Sequence, residues 1–391
     1  MRRRGEWDGL IVLCAANSMD STKMADWHLA QHLSRLVPVL YVDPVLSVAR
    51  AALAEPRLRV LRPGLARLTP VAQPAPRRRG MTSAASALAR RALRRAVRAL
   101  GTTPQAVISA WALFPVLRCC DELVSVYWAQ DDYVGLAGLQ GTSKRLIEAR
   151  EPLAAADAGL IIAANPVVAA QWRNRGHNPE LIPFGVDVAA YAGTDDAPLP
   201  RDVSLPGPAA GFVGRLNART DLRLLEAVAD RGCPVLITGP VDPAFEPQRM
   251  RELLRRPAVR WTGERPFAEL PGYMRMIGVG MVPYRTDDAF NRGSFPLKTL
   301  EYLAAGRSVV ATDLPAVRWL NTGLIKTAGD PAEFANAVAK ALETGPEQAA
   351  ERRAFAARHS WERRAGEFLK VIMQESLAGC RPPTARRARS R

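Results

Sequence analysis

The sequence predicts an α/β protein built from two successive doubly wound halves, each a parallel sheet flanked by helices. Three observations carry this reading. Short apolar runs alternate with helical patterns along nearly the whole chain. A stretch at 191–210, YAGTDDAPLPRDVSLPGPAA, is dense in Pro, Gly and Asp, lacks periodicity and divides the alternation in two. At 391 residues the chain is long enough for two domains that each bury a core. The boundaries that follow are a first domain at 1–190, a linker at 191–208, a second domain at 209–358, a final helix at 359–378 that packs back toward the first domain, and a basic tail at 379–391. Two such halves would face a cleft, with ligands at the carboxyl ends of the strands.

In order, the first-half strands are GLIVLCAA, PVLYVD, QAVISA, LVSVYWA and AGLIIAA; those of the second half are AGFVGRL, CPVLITG, AVRWTG, VGMVPY, RSVVAT and GLIKTA. The last helix reads as SWERRAGEFLKVIMQESLAG, and the tail CRPPTARRARSR is expected to be disordered. An apolar fraction of 48% and a charged fraction of 24% are those of an ordinary globular protein. The charge is not: 54 Lys and Arg against 38 acids give +16, which points to an anionic partner. Five scattered cysteines without a C-x-x-C pair indicate neither a disulfide framework nor a zinc site and suit a reducing cytoplasm. The start, MRRRGEWDGLIVLCAAN, has a signal-like basic end, but Glu6 and Asp8 interrupt it and its apolar run is short, so a buried strand is expected. No stretch approaches the ~20 apolar residues of a membrane span, so a peripheral position is the most the chain predicts.

The segment FPLKTLEYLAAGRSVVATDLP, from Phe295 to Pro315, reads as a helix running through a glycine stop into a buried strand. Lys298 and Glu301 share one face of its first turn, where free amides and the positive helix end favour an anion. The lysine suits a phosphate and the glutamate a vicinal diol such as a ribose; the competing reading is a surface ion pair. GFVGRLNARTDLRLLEAVADRG, at 211–232, is a strand, a glycine turn and a helix. Gly214 permits close backbone approach, and Arg215 and Arg219 suit bidentate contacts to a diphosphate.

Taken together these segments resemble the nucleotide-binding half of glycosyltransferases with the GT-B fold, two Rossmann-like domains facing a cleft. The resemblance rests on GFVGRLN, VLITGP, VRWTGERPFAELPGYMRMIGVGMVPYR and FPLKTLEYLAAGRSVVATDLP, in the family's order and spacing, and extends more weakly to YWAQDDY, NPVVAAQWRNRGHNPELIPFGVD and the last helix. It is nearest to bacterial enzymes that build surface polysaccharides and glycolipids. By that resemblance Glu301 holds the donor ribose, and Lys298, Arg215 and the amides near Ser294 hold the diphosphate of a UDP or GDP type sugar. Retaining members often carry a second glutamate eight positions before the ribose-binding one; here that position is Gly293, with Asp287 and Asp288 as possible substitutes.

An inverting reaction needs a base for the acceptor hydroxyl. Asp131 and Asp132, just after the strand LVSVYWA, form a carboxylate pair suited to it, unless they serve only as a helix cap and a turn residue. His28 is the rival, four residues before His32; no acid is spaced to complete a metal site with them, and neither metal nor cofactor is expected. The absence of D-x-D agrees, leaving the diphosphate charge to Arg, Lys and helix ends. The loop AANSMDST offers Asn17 and Ser18 on the acceptor side.

In RRRGMTSAASALARRALRRAVRALG, 77–101, Leu88, Ala89, Ala92, Leu93, Ala96, Val97 and Leu100 share one half of a helical wheel. Arg90, Arg91, Arg94, Arg95 and Arg98 fill the other. Such a helix suits an anionic membrane surface, or else packs on the domain with a solvated basic face. No aromatic residues interleave with the arginines, so no nucleic acid is expected. The expected activity is transfer of a sugar from a nucleotide-diphosphate donor to a lipid-linked or glycolipid hydroxyl, on the inner face of the plasma membrane. The alternatives are a nucleotide-sugar epimerase or hydrolase on the same fold and, more remotely, an RNA-binding protein.

Overall fold

A computed structural model describes residues 5–21, 23–47, 58–72, 80–138 and 141–379. The chain divides into two compact units, Met1–Pro183 with Trp361–Arg391, and Phe184–Ser360.

The first unit is an eight-stranded sheet. Its strands are β1 (Ile11–Cys14), β2 (Val39–Val42), β4 (Leu58–Arg62), β5 (Leu65–Leu68), β7 (Ala106–Ser109), β8 (Val124–Ala129), β9 (Leu160–Ala163) and β10 (Glu180–Leu181), in the order β10-β9-β8-β7-β1-β2-β5-β4. A small parallel pair, β3 (Leu46–Ser47) with β6 (Val71–Ala72), lies beside it. All pairings in the large sheet are parallel except the edge strand β4, which forms an antiparallel hairpin with β5. β1, β2, β7 and β8 are buried throughout, as continuous apolar runs in a sheet covered on both faces must be. The β4–β5 hairpin is absent from the sequence expectation. Its run LRVLRPGLARL alternates arginine with apolar residues on an edge where β4 is mostly exposed, so it lacks the apolar density of a central strand.

The second unit is a six-stranded, all-parallel sheet of β11 (Ala209–Val213), β12 (Val235–Thr238), β13 (Val259–Trp261), β14 (Ile277–Val282), β15 (Ser308–Ala311) and β16 (Ile325–Thr327). Its order β13-β12-β11-β14-β15-β16 is the doubly wound pattern, with the switch between β11 and β14. Each unit is therefore Rossmann-like.

Residues 191–208, expected as a linker, are tied to the second unit. The Asp195 carboxylate pairs with Arg307 at 2.6 Å and with Arg353, and Asp202 accepts from the Tyr273 hydroxyl at 3.0 Å and pairs with Arg265. The acids that made this stretch look solvated are its anchors. The last helix, Trp361–Gly379, joins the first unit: Phe368 meets Trp128 of β8 edge to face at 5.2 Å, and Ser376 accepts from the Gln105 side chain at 3.1 Å. The tail from 380 onward and Arg77, Arg78 and Arg79 lie outside the described residues.

The 77–100 prediction becomes a helix at Thr82–Ala99. Ala85, Ala89, Leu93, Ala96 and Val97 are buried in the first unit's core, so most of the apolar half of the wheel is not available to a membrane. Leu88 remains 41% exposed. Arg91, Arg94, Arg95 and Arg98 are exposed and Arg90 is half-buried.

Candidate functional site

In the second unit the site is built where β11, β12 and β14 end. β11 stops at Val213, and Gly214 turns away with φ 136°, a conformation reserved in practice for glycine. Its amide donates to the Thr238 carbonyl at 2.8 Å. Gly239, with φ 135°, lies so close that a Cβ there would come within 2.2 Å of the Gly214 carbonyl oxygen. The two turns thus expose bare backbone side by side.

Lys298 reaches this surface from the helix Leu297–Ala304, whose start is set by Pro296. A Cβ on residue 214 would sit 3.0 Å from Lys298 Nζ, so the ammonium lies directly over the glycine. Nζ is 3.9 Å from the centre of the Phe212 ring and 4.8 Å from that of Tyr284. The residue is only 8% exposed, contrary to the surface pair the i, i+3 spacing allows, and among the described residues no carboxylate is within ion-pair distance of it. Glu301 acts on it from beyond that distance, and a buried ammonium balanced only in part favours a bound anion.

Two cations flank Tyr284. Burial pushes its hydroxyl up, but Lys298 and Arg219 outweigh that and hold it below its ordinary value. The pocket floor is electropositive. Glu301, one turn along from Lys298, is half-buried. Burial pushes its carboxyl above the ordinary range, opposed by Lys298 and by the facing Tyr191 hydroxyl.

Arg219 is used differently from the expectation. Its Nε donates to Asn291 Oδ1 at 2.8 Å, its Nη2 donates to Ser294 Oγ at 3.1 Å, and its guanidinium lies 4.4 Å from the Phe290 ring centre. It clips the 289–295 loop to the β11 turn and adds charge from behind. Ser294 is buried by that clip, whereas Arg215 is exposed. Asp288 caps the helix Ala289–Arg292, accepting from the Asn291 amide at 2.8 Å, and the exposed Asp287 pairs with Arg285 at 2.9 Å.

In the first unit, two buried carboxylates hold the loop after β1. Asp26 accepts from the Asn17 amide at 3.2 Å, the Asn17 side chain at 2.8 Å and Gln130 Nε2 at 2.6 Å. Burial raises its carboxyl despite these donors. Asp43 accepts from the Met19 amide at 2.9 Å, Ser18 Oγ at 3.4 Å, Thr69 Oγ1 at 2.7 Å and Arg67 Nε at 2.7 Å. Arg67 also pairs with Asp20 at 2.6 Å. Asn17 and Ser18 are therefore fixed rather than loose. Asp26, Asp43 and Arg67 escape the sequence reading because each is an isolated charge: the pairing of β2 with β5 brings Arg67 to Asp43, and Asp26 reaches Asn17 from the helix Ala25–Leu33.

Asp132 caps the helix Tyr133–Leu136, accepting from the Gly135 amide at 3.0 Å, and accepts from Gln171 Nε2 at 3.3 Å. Asp131 beside it is half-buried. His28 is 5% exposed, its ring stacked on Trp361 at 5.7 Å and edge-on to Trp27 at 5.0 Å, which is the setting of a packing residue.

Residues 207–344 match the family model described as glycosyl transferases group 1. A Bacillus subtilis protein described as a teichuronic acid biosynthesis glycosyltransferase, TuaH, is 35% identical over 138 residues, 34% of each chain. The chain thus spans about a third of that relative's length. Sucrose-phosphate synthase from Thermosynechococcus elongatus superposes with a TM-score of 0.72 at 18% identity, covering 94% of this chain and 99% of that one. Anabaena Alr3699/HepE in complex with UDP-glucose superposes with a TM-score of 0.66 at 16% identity, covering 93% and 99%. The family match spans β11 to β16 and so takes in Gly214 and the helix that carries Lys298 and Glu301. The chain has the GT-B fold, and its residues 207–344 match the glycosyl transferases group 1 family.

Proposed function

We propose that the protein transfers a sugar from a nucleotide-diphosphate donor to a hydroxyl of a lipid-linked or glycolipid acceptor in cell-envelope polysaccharide or glycolipid synthesis. The buried Lys298 ammonium over Gly214, without an ion pair among the described residues, carries the donor half of this reading. The diphosphate is met by Lys298, by Arg215 and by amides near Ser294, and Glu301 accepts the ribose hydroxyls. As the sugar leaves, charge grows on the diphosphate oxygens, and fixed cations and amides stabilise it without reorganising. UDP-glucose in the Anabaena relative favours a UDP type donor.

The first unit binds the acceptor, with Asn17 and Ser18 held by Asp26 and Asp43. An inverting reaction takes the acceptor proton on the Asp131 and Asp132 carboxylate pair that follows β8. The teichuronic acid relative favours an envelope acceptor. No helix among the described residues is long and apolar enough to cross a membrane. The exposed arginines at 90–98 would hold the protein on the anionic inner leaflet by charge. A thermal-shift panel of UDP-, GDP-, dTDP- and ADP-sugars, followed by product analysis with lipid-linked acceptors, tests the proposal. Stabilisation by one donor class and a lipid-linked glycoside are expected; a uniform blank would overturn it.

A further inference from the structure

A cavity of about 450 Å³ opens in the first unit between the helix Thr82–Ala99 and the strands β4, β5 and β6. Leu58, Leu68 and Val71 line it from the strands, and Leu88, Ala92 and Ala96 from the helix. Its volume falls in the range of about 300–1,000 Å³ of small-molecule sites. Only two charged groups enter the lining, Arg91 and Arg95, four residues apart on one helix face and both exposed. Neither has an ion-pair or hydrogen-bond partner among the described residues, in contrast to Arg67 or Arg219 nearer the strand ends.

We propose that this cavity binds one hydrocarbon chain of an anionic amphiphile, with the head group on Arg91 and Arg95. An apolar lining whose side-chain hydrogen-bonding groups are confined to Arg91 and Arg95 suits a chain and not a sugar or a nucleotide, most of whose hydroxyls it would leave unpaired. Two unpaired guanidiniums at adjacent turns match a phosphate or carboxylate head, which each can meet in a bidentate fashion. The head group and the chain are thus recognised by different parts of one site. This deepens the reading of the first unit as the lipid-binding one, and rests on it. It also gives the half-exposed Leu88 a role that packing within the core does not.

The test is calorimetric titration of the full chain with dodecyl phosphate below its micellar concentration, with inorganic phosphate and a neutral dodecyl glycoside as comparisons. One saturable dodecyl phosphate site is expected, with inorganic phosphate and the glycoside each at least tenfold weaker. Ala92→Trp fills the cavity, and Leu88→Trp does so from a position 41% exposed, with a melting curve to verify that it folds; each should weaken dodecyl phosphate at least tenfold. The double change Arg91→Gln and Arg95→Gln should bring dodecyl phosphate down to the level of the glycoside. Equal binding of inorganic phosphate, or undiminished dodecyl phosphate binding by Leu88→Trp, would overturn the proposal. UDP-sugar thermal shifts on the same variants separate the two readings. Donor binding that persists while the chain is lost concerns only this cavity, whereas absence of any donor shift in the parent protein counts against transferase activity and leaves the cavity result standing.

Discussion

Lys298 Nζ stands 3.9 Å over the ring of Phe212, and its nearest charge partner, Glu301, acts on it from beyond ion-pair distance. The ring face offers partial compensation, of about 0.5–2 kcal/mol for a cation in such a place. Glu301 and the Tyr284 hydroxyl add to this, and in the proposed site a bound diphosphate completes it. Lys298→Met keeps the stem and removes the charge, so it should relieve a buried cost in the free protein while weakening the donor by about 1–3 kcal/mol. The combined outcome, unchanged or raised melting temperature with reduced UDP-sugar affinity, is what a binding lysine predicts. Loss of stability with unchanged affinity would mark it as a structural residue.

Gly214 should be intolerant for two separable reasons. Its φ of 136° strains any other residue by about 1–3 kcal/mol, and a methyl group would press on the Lys298 ammonium at 3.0 Å. Gly214→Ala should therefore lose both stability in urea unfolding and donor affinity in calorimetry. A variant that loses stability alone would mean that the ammonium swings aside without consequence.

Donor binding should depend on pH through Glu301. In the proposed site its ionised form accepts the ribose hydroxyls, and burial raises its carboxyl above the ordinary value of about 4.3. Affinity should then be full well above the raised value and fall as pH drops through it, at a higher pH than an ordinary glutamate would give. The same shift acts on folding in the opposite sense: the contribution of Glu301 is fully present below its unfolded value and lost as pH rises through its folded one. Glu301→Gln should flatten the affinity profile, at a cost of about 1–3 kcal/mol in binding at neutral pH. A profile that Glu301→Gln leaves unaltered would assign the titration elsewhere.

Asp26 is the corresponding anchor of the first unit. Asp26→Ala would strand the Asn17 and Gln130 side-chain donors, at about 1–3 kcal/mol for each buried group left unpaired. Acceptor KM should rise with donor affinity intact, because Asn17 is released while the second unit is untouched. If acceptor kinetics stay normal in a variant that is measurably destabilised, the loop does not contact the acceptor.

How much of this was legible depended on where the signal lay. The inner strands β11, β12, β14 and β15 are dense apolar runs with Gly or Pro close to their ends, whereas the edge strands β13 and β16 each carry a charged middle residue, and the helix start at Pro296 announces Lys298 and Glu301 by local spacing. The depth of Lys298 was not legible, because it is set by Phe212 and Tyr284, which lie far from it in sequence. Arg219 illustrates the same limit: a basic residue after a glycine turn suits a phosphate, yet its geometry ties it to Asn291 and Ser294. The Thr82–Ala99 helix shows it from the other side. Its wheel segregates charge correctly, but periodicity cannot distinguish an apolar face covered by lipid from one covered by β-strands.

That distinction fixes what the arginine face can do. With Ala89, Leu93, Ala96 and Val97 already buried, membrane attachment by this helix must come mainly from charge, at about 1 kcal/mol for each basic residue near an anionic leaflet. Changing Arg90, Arg91, Arg94, Arg95 and Arg98 to Gln keeps helix propensity and leaves the packed face intact, so the melting temperature should hold within a few degrees. Binding of the parent protein to phosphatidylserine vesicles should weaken steeply between low and physiological salt, as screened surface charge requires. The fivefold variant should lose that binding and its salt dependence together. Its UDP-sugar affinity should match the parent's, and turnover on a vesicle-borne acceptor should fall while turnover on a short-chain soluble analogue persists. Sedimentation of the variant with anionic vesicles at physiological salt would mean that another surface makes the contact.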